Sequence, residues 1–213
     1  MTLYLATGNL HKKSEMVKIC EGHTIFIPKD AGINFDPEET GSTFVENALI
    51  KAKALWEIVK KPVLADDSGI SVEGLNGIPG IYSARYEGKD FPQGRVNKNT
   101  SLTQDMQNSL LIEHLNDEIA KNPTKNRNCH YVCAMVLYFG EDKFYCVQET
   151  LEGMLIDSLE NQCGNGGFGY DPIVLLRDGS KTIAELTDAE KNLISHRGKA
   201  TRKILTLLNT IEE

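Results

Sequence analysis

Val63-Leu64-Ala65-Asp66-Asp67-Ser68-Gly69 sets the fold class of this chain. Three apolar residues read as a buried strand, and they lead straight into two carboxylates, a hydroxyl and a glycine. An acidic strand end of this kind is where an α/β protein keeps its ligand. Paired carboxylates there hold a hard cation such as Mg²⁺, or act as base and electrostatic anchor. The same residues also suit an ordinary Asp-rich turn, so the run has to be weighed with its surroundings.

Upstream, Thr43 to Val59 places Phe44, Ala48, Leu49, Ala52, Leu55 and Trp56 at helical spacing. Thr43 is positioned as its N-cap, and Glu46 three residues later completes a capping box. Thr2 to Ala6 and Thr24 to Ile27 read as strands, with a helix from Asn9 to Cys20 between them. Downstream, Gly69 to Arg85 is rich in turns, and Glu87 to Asn108 is polar, without a period, and reads as a loop. Leu110 to Ile119 reads as a helix. His130 to Phe139 and Lys143 to Leu151 flank Gly140-Glu141-Asp142, a hairpin signal. Tyr170 to Leu176 reads as a strand. Thr187 to Ile194 reads as a short helix with Glu190 near its start, and Arg197 to Ile211 as a final amphipathic helix. Parallel-type βαβ units around a hairpin predict an α/β fold with a mixed sheet and a long antiparallel hairpin. The expected layout is a single domain over residues 1–213, in two lobes around a central cleft.

The bulk numbers exclude several classes. At 213 residues the chain can bury a substantial core. Its formal charge of −7 argues against gripping a long polyanion, so no nucleic-acid partner is expected. A small phosphorylated ligand needs only a few local cations and stays open. The apolar runs are far too short for a membrane span, and no secretory pattern precedes the first strand. The five cysteines, Cys20, Cys129, Cys133, Cys146 and Cys163, make no CxxC pair. That pattern fits a reduced, cytoplasmic chain with mostly buried thiols and argues against zinc.

Four further segments suit a phosphate or nucleotide site. In Thr7-Gly8-Asn9-Leu10-His11-Lys12 a strand turns into a helix whose first amides attract anions, and Lys12 adds charge. Alone it is equally a plain N-cap with a surface lysine. Glu39 lies before the long helix and Lys51 two turns into it, whereas Glu38 reads as solvated. Gly164-Asn165-Gly166-Gly167-Phe168-Gly169-Tyr170-Asp171-Pro172 lets the backbone approach a ligand closely and presents a ring able to stack on a base. A flexible turn with a loosely packed aromatic is the competing reading. Lys191 precedes Ser195-His196-Arg197-Gly198, where Ser195 can cap the last helix. An arginine in a first helical turn opposes the macrodipole, so an anion or acceptor is expected beside Arg197.

These segments, in this order, carry a resemblance. Thr7-Gly8-Asn9 with Lys12, Glu39-Thr40-Gly41 with Phe44, Glu46, Asn47, Ala48 and Lys51, and Ala65-Asp66-Asp67-Ser68-Gly69 take part. So do Pro79 to Tyr86, Gly167 to Pro172, and Lys191-Asn192 with Ser195 to Gly198. The chain resembles the inosine triphosphate pyrophosphatase family in its bacterial form, from Leu3 into the final helix. Glu87 to Arg127 is longer and more polar than that family's pattern.

The resemblance implies a two-lobed α/β fold, usually a homodimer, with Mg²⁺ as cofactor. It implies hydrolysis of inosine, deoxyinosine and xanthosine triphosphates to monophosphate and pyrophosphate, which keeps deaminated purines out of DNA and RNA. Residue by residue, Thr7, Gly8, Asn9, Leu10, His11 and Lys12 match the triphosphate loop. Glu39 and Asp67 match the acidic groups that serve Mg²⁺, and Asp67 also matches the base for water attacking the α-phosphorus. Lys51 and Ser68 match further substrate contacts. Phe168, Gly169, Tyr170 and Asp171 match the base-stacking loop, while Lys191, His196 and Arg197 match the groups at the base edge. Asp66 is expected to support the turn or stand behind the site.

Three other readings use the same residues differently. A nucleotide sensor would share the cleft without the chemistry, yet it has no need of Asp67, Glu39 and Lys12. A phosphatase working through an aspartyl-phosphate wants an Asp-x-Asp after the first strand, which this chain lacks. A pyrophosphatase for modified pyrimidines differs only in its base pocket.

Overall fold

A computed structural model of the chain describes residues 1–88, 91–92 and 102–212. Six strands form one sheet: β1 (Thr2–Leu5), β2 (Thr24–Phe26), β3 (Val63–Val72), β4 (Asn128–Gly140), β5 (Lys143–Leu155) and β6 (Val174–Leu176), in the order β2-β1-β3-β4-β5-β6. β1 pairs in parallel with β2, Leu3 opposite Ile25, and with β3, Leu5 opposite Leu64. β5 and β6 pair antiparallel, Met154 opposite Leu175. β4 and β5 are neighbours joined only by Glu141-Asp142, a link that an antiparallel pair alone permits. The mixed sheet with its long hairpin is therefore present, and both hairpin strands are longer than their apolar runs suggest.

The helices are α1 (Leu10–Ile19), α2 (Phe44–Val59), α3 (Gln104–Lys121), α4 (Asp188–Ile194) and α5 (His196–Glu212). The capping box of α2 is formed as the sequence reads: Thr43 accepts from the Glu46 amide at 3.1 Å, and Glu46 accepts from the Thr43 amide at 3.1 Å. None of the described helices is long and apolar enough to cross a membrane.

The chain divides into two compact units, one of residues 1–68, 132–150 and 192–213, the other of residues 69–131 and 151–191. In the first unit, strand alternation sorts the core into two faces. Leu64, Cys133, Met135 and Leu137 join Leu3, Leu5, Met16 of α1 and Ala200, Ile204 and Leu208 of α5. Val63, Ala65, Ala134, Val136 and Tyr138 join Ala48, Ala52 and Leu55 of α2. The second unit buries Ile70, Val72, Leu111, Ile112, Leu115, Tyr170, Ile173 and Val174. There Phe91 meets Tyr86 edge-on, with ring centres 5.0 Å apart.

Three expectations are corrected. Asp66-Asp67-Ser68-Gly69 is not a strand end, because β3 continues through it to Val72. Charges are tolerated in mid-strand because buried cations answer each of them. Tyr170 to Leu176 is not one strand: Asp171–Ile173 forms a 3-10 turn and only Val174–Leu176 is extended. Finally, α3 begins at Gln104, six residues before Leu110, with Thr103 capping the Met106 amide at 3.3 Å. Its polar first turns hide the period because Gln107 and Asn108 are buried through hydrogen bonds, to the Tyr86 and Gly169 carbonyls. The rest of the expected loop, at 89–90 and 93–101, lies outside the described residues.

Candidate functional site

The alternation of β3 sends its two aspartates to opposite faces. Asp66 shares the parity of Leu64 and faces α1 and α5; Asp67 shares that of Val63 and Ala65 and faces α2. On the first face Asp66 is 1 % exposed. Its Oδ2 accepts from Lys12 Nζ at 2.9 Å and from Arg197 Nε and Nη2 at 3.3 Å each. Arg197 also donates to Glu15 Oε2 at 2.6 Å and to Ser68 Oγ at 2.8 Å. Burial alone would raise the Asp66 pKa, but Lys12 and Arg197 outweigh it and hold this carboxyl well below the usual range. Asp66 is thus a fixed negative charge. The anion expected beside Arg197 is supplied by this chain's own Asp66 and Glu15. α5 starts as the sequence suggests, with Ser195 Oγ accepting from the Gly198 amide at 3.0 Å.

On the opposite face Asp67 Oδ1 accepts from Lys51 Nζ at 3.1 Å, and the same ammonium donates to Glu39 Oε1 at 2.8 Å. Asp67 Oδ2 accepts from Asn47 Nδ2 at 3.3 Å. Asn47 is wholly buried, and its Oδ1 takes the Gly41 amide at 2.8 Å, so it ties the Glu39 loop to Asp67. Asn47 and Lys51 are four apart on α2 and share a face. Burial raises the Asp67 pKa; Lys51 pulls against this, while Glu39 competes for the same ammonium and adds to the rise. Two neighbouring carboxylates therefore differ in character: Lys12 and Arg197 depress the pKa of one, and burial raises that of the other.

The phosphate-loop candidates lie at the start of α1. Asn9 Oδ1 accepts from the His11 amide at 2.9 Å and the Lys12 amide at 3.2 Å, and Thr7 Oγ1 accepts from the Asn9 amide at 3.1 Å. Those two helix amides, expected to be available to an anion, are capped by Asn9. Gly8, Asn9, Leu10 and His11 are exposed and Thr7 is half-buried.

The second unit carries the aromatic loop. Asp171 is 4 % exposed. Its Oδ2 accepts from the Phe168 amide and from Lys191 Nζ, both at 2.8 Å, and its Oδ1 from Tyr131 Oη at 3.1 Å. Lys191 Nζ stands 4.7 Å from the centre of the half-buried Phe168 ring, a cation–π distance. Gly167 has φ +69°, and a Cβ there would meet Asp171 Oδ2 at 2.0 Å, so only glycine fits. Tyr170 is buried and donates to the Ser83 carbonyl at 2.8 Å. Phe168, Gly169, Tyr170, Asp171 and Lys191 are thus together, with Asp171 the group that shapes the loop.

Lys12, Ser68 and Arg197 cluster with Asp66, and Glu39 and Lys51 with Asp67; His196 is buried at the start of α5. Sequence reasoning gave no role to Glu15, Asn47 or Tyr131 and placed Asp66 behind the site. Glu15 had a signal, since it lies three residues from Lys12 on α1 and so shares its face. Tyr131 had none, because its partner is 40 residues away.

The donor set fits a hard cation. Glu39 and Asp67 are brought together by the Lys51 ammonium, which occupies the point between Glu39 Oε1 and Asp67 Oδ1, so a cation would be held beside Lys51 and not in its place. Mg²⁺ is held by one or two carboxylates and completes its shell with water and substrate phosphates. No group of three or more His, Cys, Asp or Glu forms a closed cage among the described residues.

The sequence pattern of the Ham1 family matches residues 3–207, and the chain belongs to that family. It is 48 % identical over 207 residues to a dITP/XTP pyrophosphatase of Treponema denticola, covering 94 % of each chain. It is 38 % identical to the Bacillus subtilis dITP/XTP pyrophosphatase, covering 96 % of this chain and 95 % of that one. A HAM1 protein from Coxiella burnetii superposes with a TM-score of 0.82 at 32 % identity, covering 99 % of both chains. The Staphylococcus aureus Ham1 protein gives 0.77 at 32 % identity over the full length of both.

Proposed function

We propose that this chain hydrolyses non-standard purine nucleoside triphosphates, those of inosine, deoxyinosine and xanthosine, to the monophosphate and pyrophosphate. The observation that carries the chemistry is geometric: Asp67 and Glu39 share the one Lys51 ammonium, at 3.1 and 2.8 Å, while Lys12 and Arg197 are committed to Asp66. The names borne by its relatives support the substrate class.

Asp67 takes the proton of the water that attacks the α-phosphorus. Its raised pKa makes it a better acceptor than an ordinary carboxylate, and Asn47 and Lys51 fix both of its oxygens. Lys12 and Lys51 set positive charge against the triphosphate in a chain that is acidic as a whole. Thr7 to Lys12 form the loop beside it, and Arg197 holds the Ser68 hydroxyl toward substrate. Glu39 and Asp67 would hold Mg²⁺, which supplies charge neutralisation at the phosphoryl oxygens. Phe168 stacks on the base, and the N–H groups of Lys191 beside it donate to its 6-oxo group. Adenine offers a 6-amino donor at that position and leaves these groups mispaired, a difference able to reach about 10⁴ in specificity.

Incubation with inosine triphosphate and Mg²⁺, with products identified by mass, tests the reading. Inosine monophosphate with pyrophosphate is expected. Diphosphate with phosphate would overturn attack at the α-phosphorus. A cytoplasmic homodimer belongs to the same proposal, and light scattering on a sizing column tests the dimer.

A further inference from the structure

The second unit holds a buried polar group that the proposed chemistry does not use. Tyr131, near the start of β4, is 7 % exposed, yet its hydroxyl is turned onto Asp171 Oδ1 at 3.1 Å. The other oxygen, Asp171 Oδ2, carries the Phe168 amide and the Lys191 ammonium at 2.8 Å each. The two oxygens therefore have separate tasks, and a carboxylate anchored at both cannot turn about its terminal bond. An ammonium has three N–H groups, so the bond to Asp171 fixes where the nitrogen sits without exhausting its donors. That place lies 4.7 Å from the centre of the Phe168 ring.

Asn108 Nδ2 holds the Gly169 carbonyl at 3.3 Å, and the Gly166 amide donates to the Ala184 carbonyl at 2.9 Å. These bonds locate the backbone of the loop. Among the described residues, the Tyr131 hydroxyl is the group that takes Asp171 Oδ1. Without it, Oδ1 is open to Lys191. An ammonium drawn toward Oδ1 would move off the position it now holds 4.7 Å from the centre of the Phe168 ring.

From this we infer that Tyr131 is a specificity-determining positioning residue: by holding Asp171 Oδ1 it keeps Lys191 against Phe168, where the ammonium reads the 6-oxo edge of a purine. The inference rests on the base-recognition part of the proposed function. Burial, reinforced by the Asp171 carboxylate, keeps the Tyr131 hydroxyl protonated far above neutral pH, so the donor is constant under working conditions.

Tyr131→Phe keeps the ring and removes one oxygen; Tyr131→His keeps a ring with an N–H donor. The expected result for Tyr131→Phe is a drop of about tenfold in the kcat/KM preference for inosine over adenosine triphosphate, the size of one lost hydrogen bond. The drop falls in KM for inosine triphosphate, with kcat within about twofold. Binding of inosine monophosphate, read by calorimetry without Mg²⁺, weakens in parallel, while inhibition by pyrophosphate is unchanged. Tyr131→His recovers part of the preference. A preference within about twofold of the parent protein overturns the inference. So does equal weakening of pyrophosphate and monophosphate binding. Should the parent protein itself fail to prefer inosine triphosphate, the substrate reading falls instead, a separate result obtained before any variant is made.

Discussion

Asp66 and Asp67 are consecutive in β3, face opposite sides of the sheet and have pKa values moved in opposite directions. Lys12 and Arg197 hold Asp66 as a permanent anion, whereas Lys51 is shared between Asp67 and Glu39 and cannot do the same for Asp67. One peptide bond separates a carboxylate held by two cations from one that shares a single cation with Glu39.

Asp67→Asn therefore removes the proton acceptor and leaves the fold. The amide keeps the shape, and Lys51 retains Glu39 at 2.8 Å. Steady-state turnover of inosine triphosphate should fall by about 10²–10⁴, with monophosphate affinity by calorimetry within a few-fold. A near-normal kcat would take the base role away from Asp67.

Asp66→Asn should behave differently. It leaves two buried or nearly buried cations, Lys12 and Arg197, without their shared partner. Breaking a buried ion pair from one side costs about 3–5 kcal/mol. Urea unfolding should show a lowered midpoint with an unchanged slope. A midpoint equal to that of the parent protein would mean that Glu15 and solvent suffice for Arg197.

Phe168→Ala probes the aromatic loop. Loss of a stacking ring costs about 1–3 kcal/mol per base, so inosine monophosphate should bind about 5- to 150-fold more weakly while pyrophosphate inhibition stays put. Equal losses for the two ligands would contradict stacking. Lys191 stands over the same ring but is anchored by Asp171 at 2.8 Å, so the ammonium should stay in place and the loss should report stacking.

What could be read in the sequence follows from how far each partner lies along the chain. The α2 capping box spans four residues and the β4–β5 turn two, one fewer than the Gly140-Glu141-Asp142 read in the sequence, and both were legible. The site segments were legible as compositions, since glycines, a ring and paired acids each limit what a segment can do. Asp66 and Asp67 inside a strand were not. A charge in mid-strand is acceptable only when cations reach it from elsewhere, and Arg197 lies 131 residues further on. The start of α3 was hidden for a related reason: Gln107 and Asn108 look like surface, yet they are buried by bonds to Tyr86 and Gly169. Sequence alternation does give the opposite faces of Asp66 and Asp67 once the strand is known to continue.

The capping box of α2 links stability to the site. Asn47, which holds Asp67, lies in the first turn and a half of α2, one residue beyond Glu46. Thr43→Ala removes the hydroxyl that takes the Glu46 amide and should cost about 1 kcal/mol, a fall of about 2–4 °C in Tm for a chain of this size. Glu46 adds a pH dependence. Hydrogen bonds from Ser42, hydroxyl first and then amide, with those from Thr43, hold its carboxyl below the usual glutamate range. A depressed folded-state pKa contributes stability that is present above the unfolded value, about 4.3, and is lost as pH falls through the folded one. Glu46→Ala should therefore melt below the parent protein at neutral pH, and the gap should close as pH drops into the acid range. Calorimetric melts of both proteins from neutral to acid pH check this, and a gap independent of pH would assign the loss to helix propensity instead of the capping carboxylate. Turnover should fall in step with the neutral-pH gap, because a frayed first turn loosens Asn47 from Asp67.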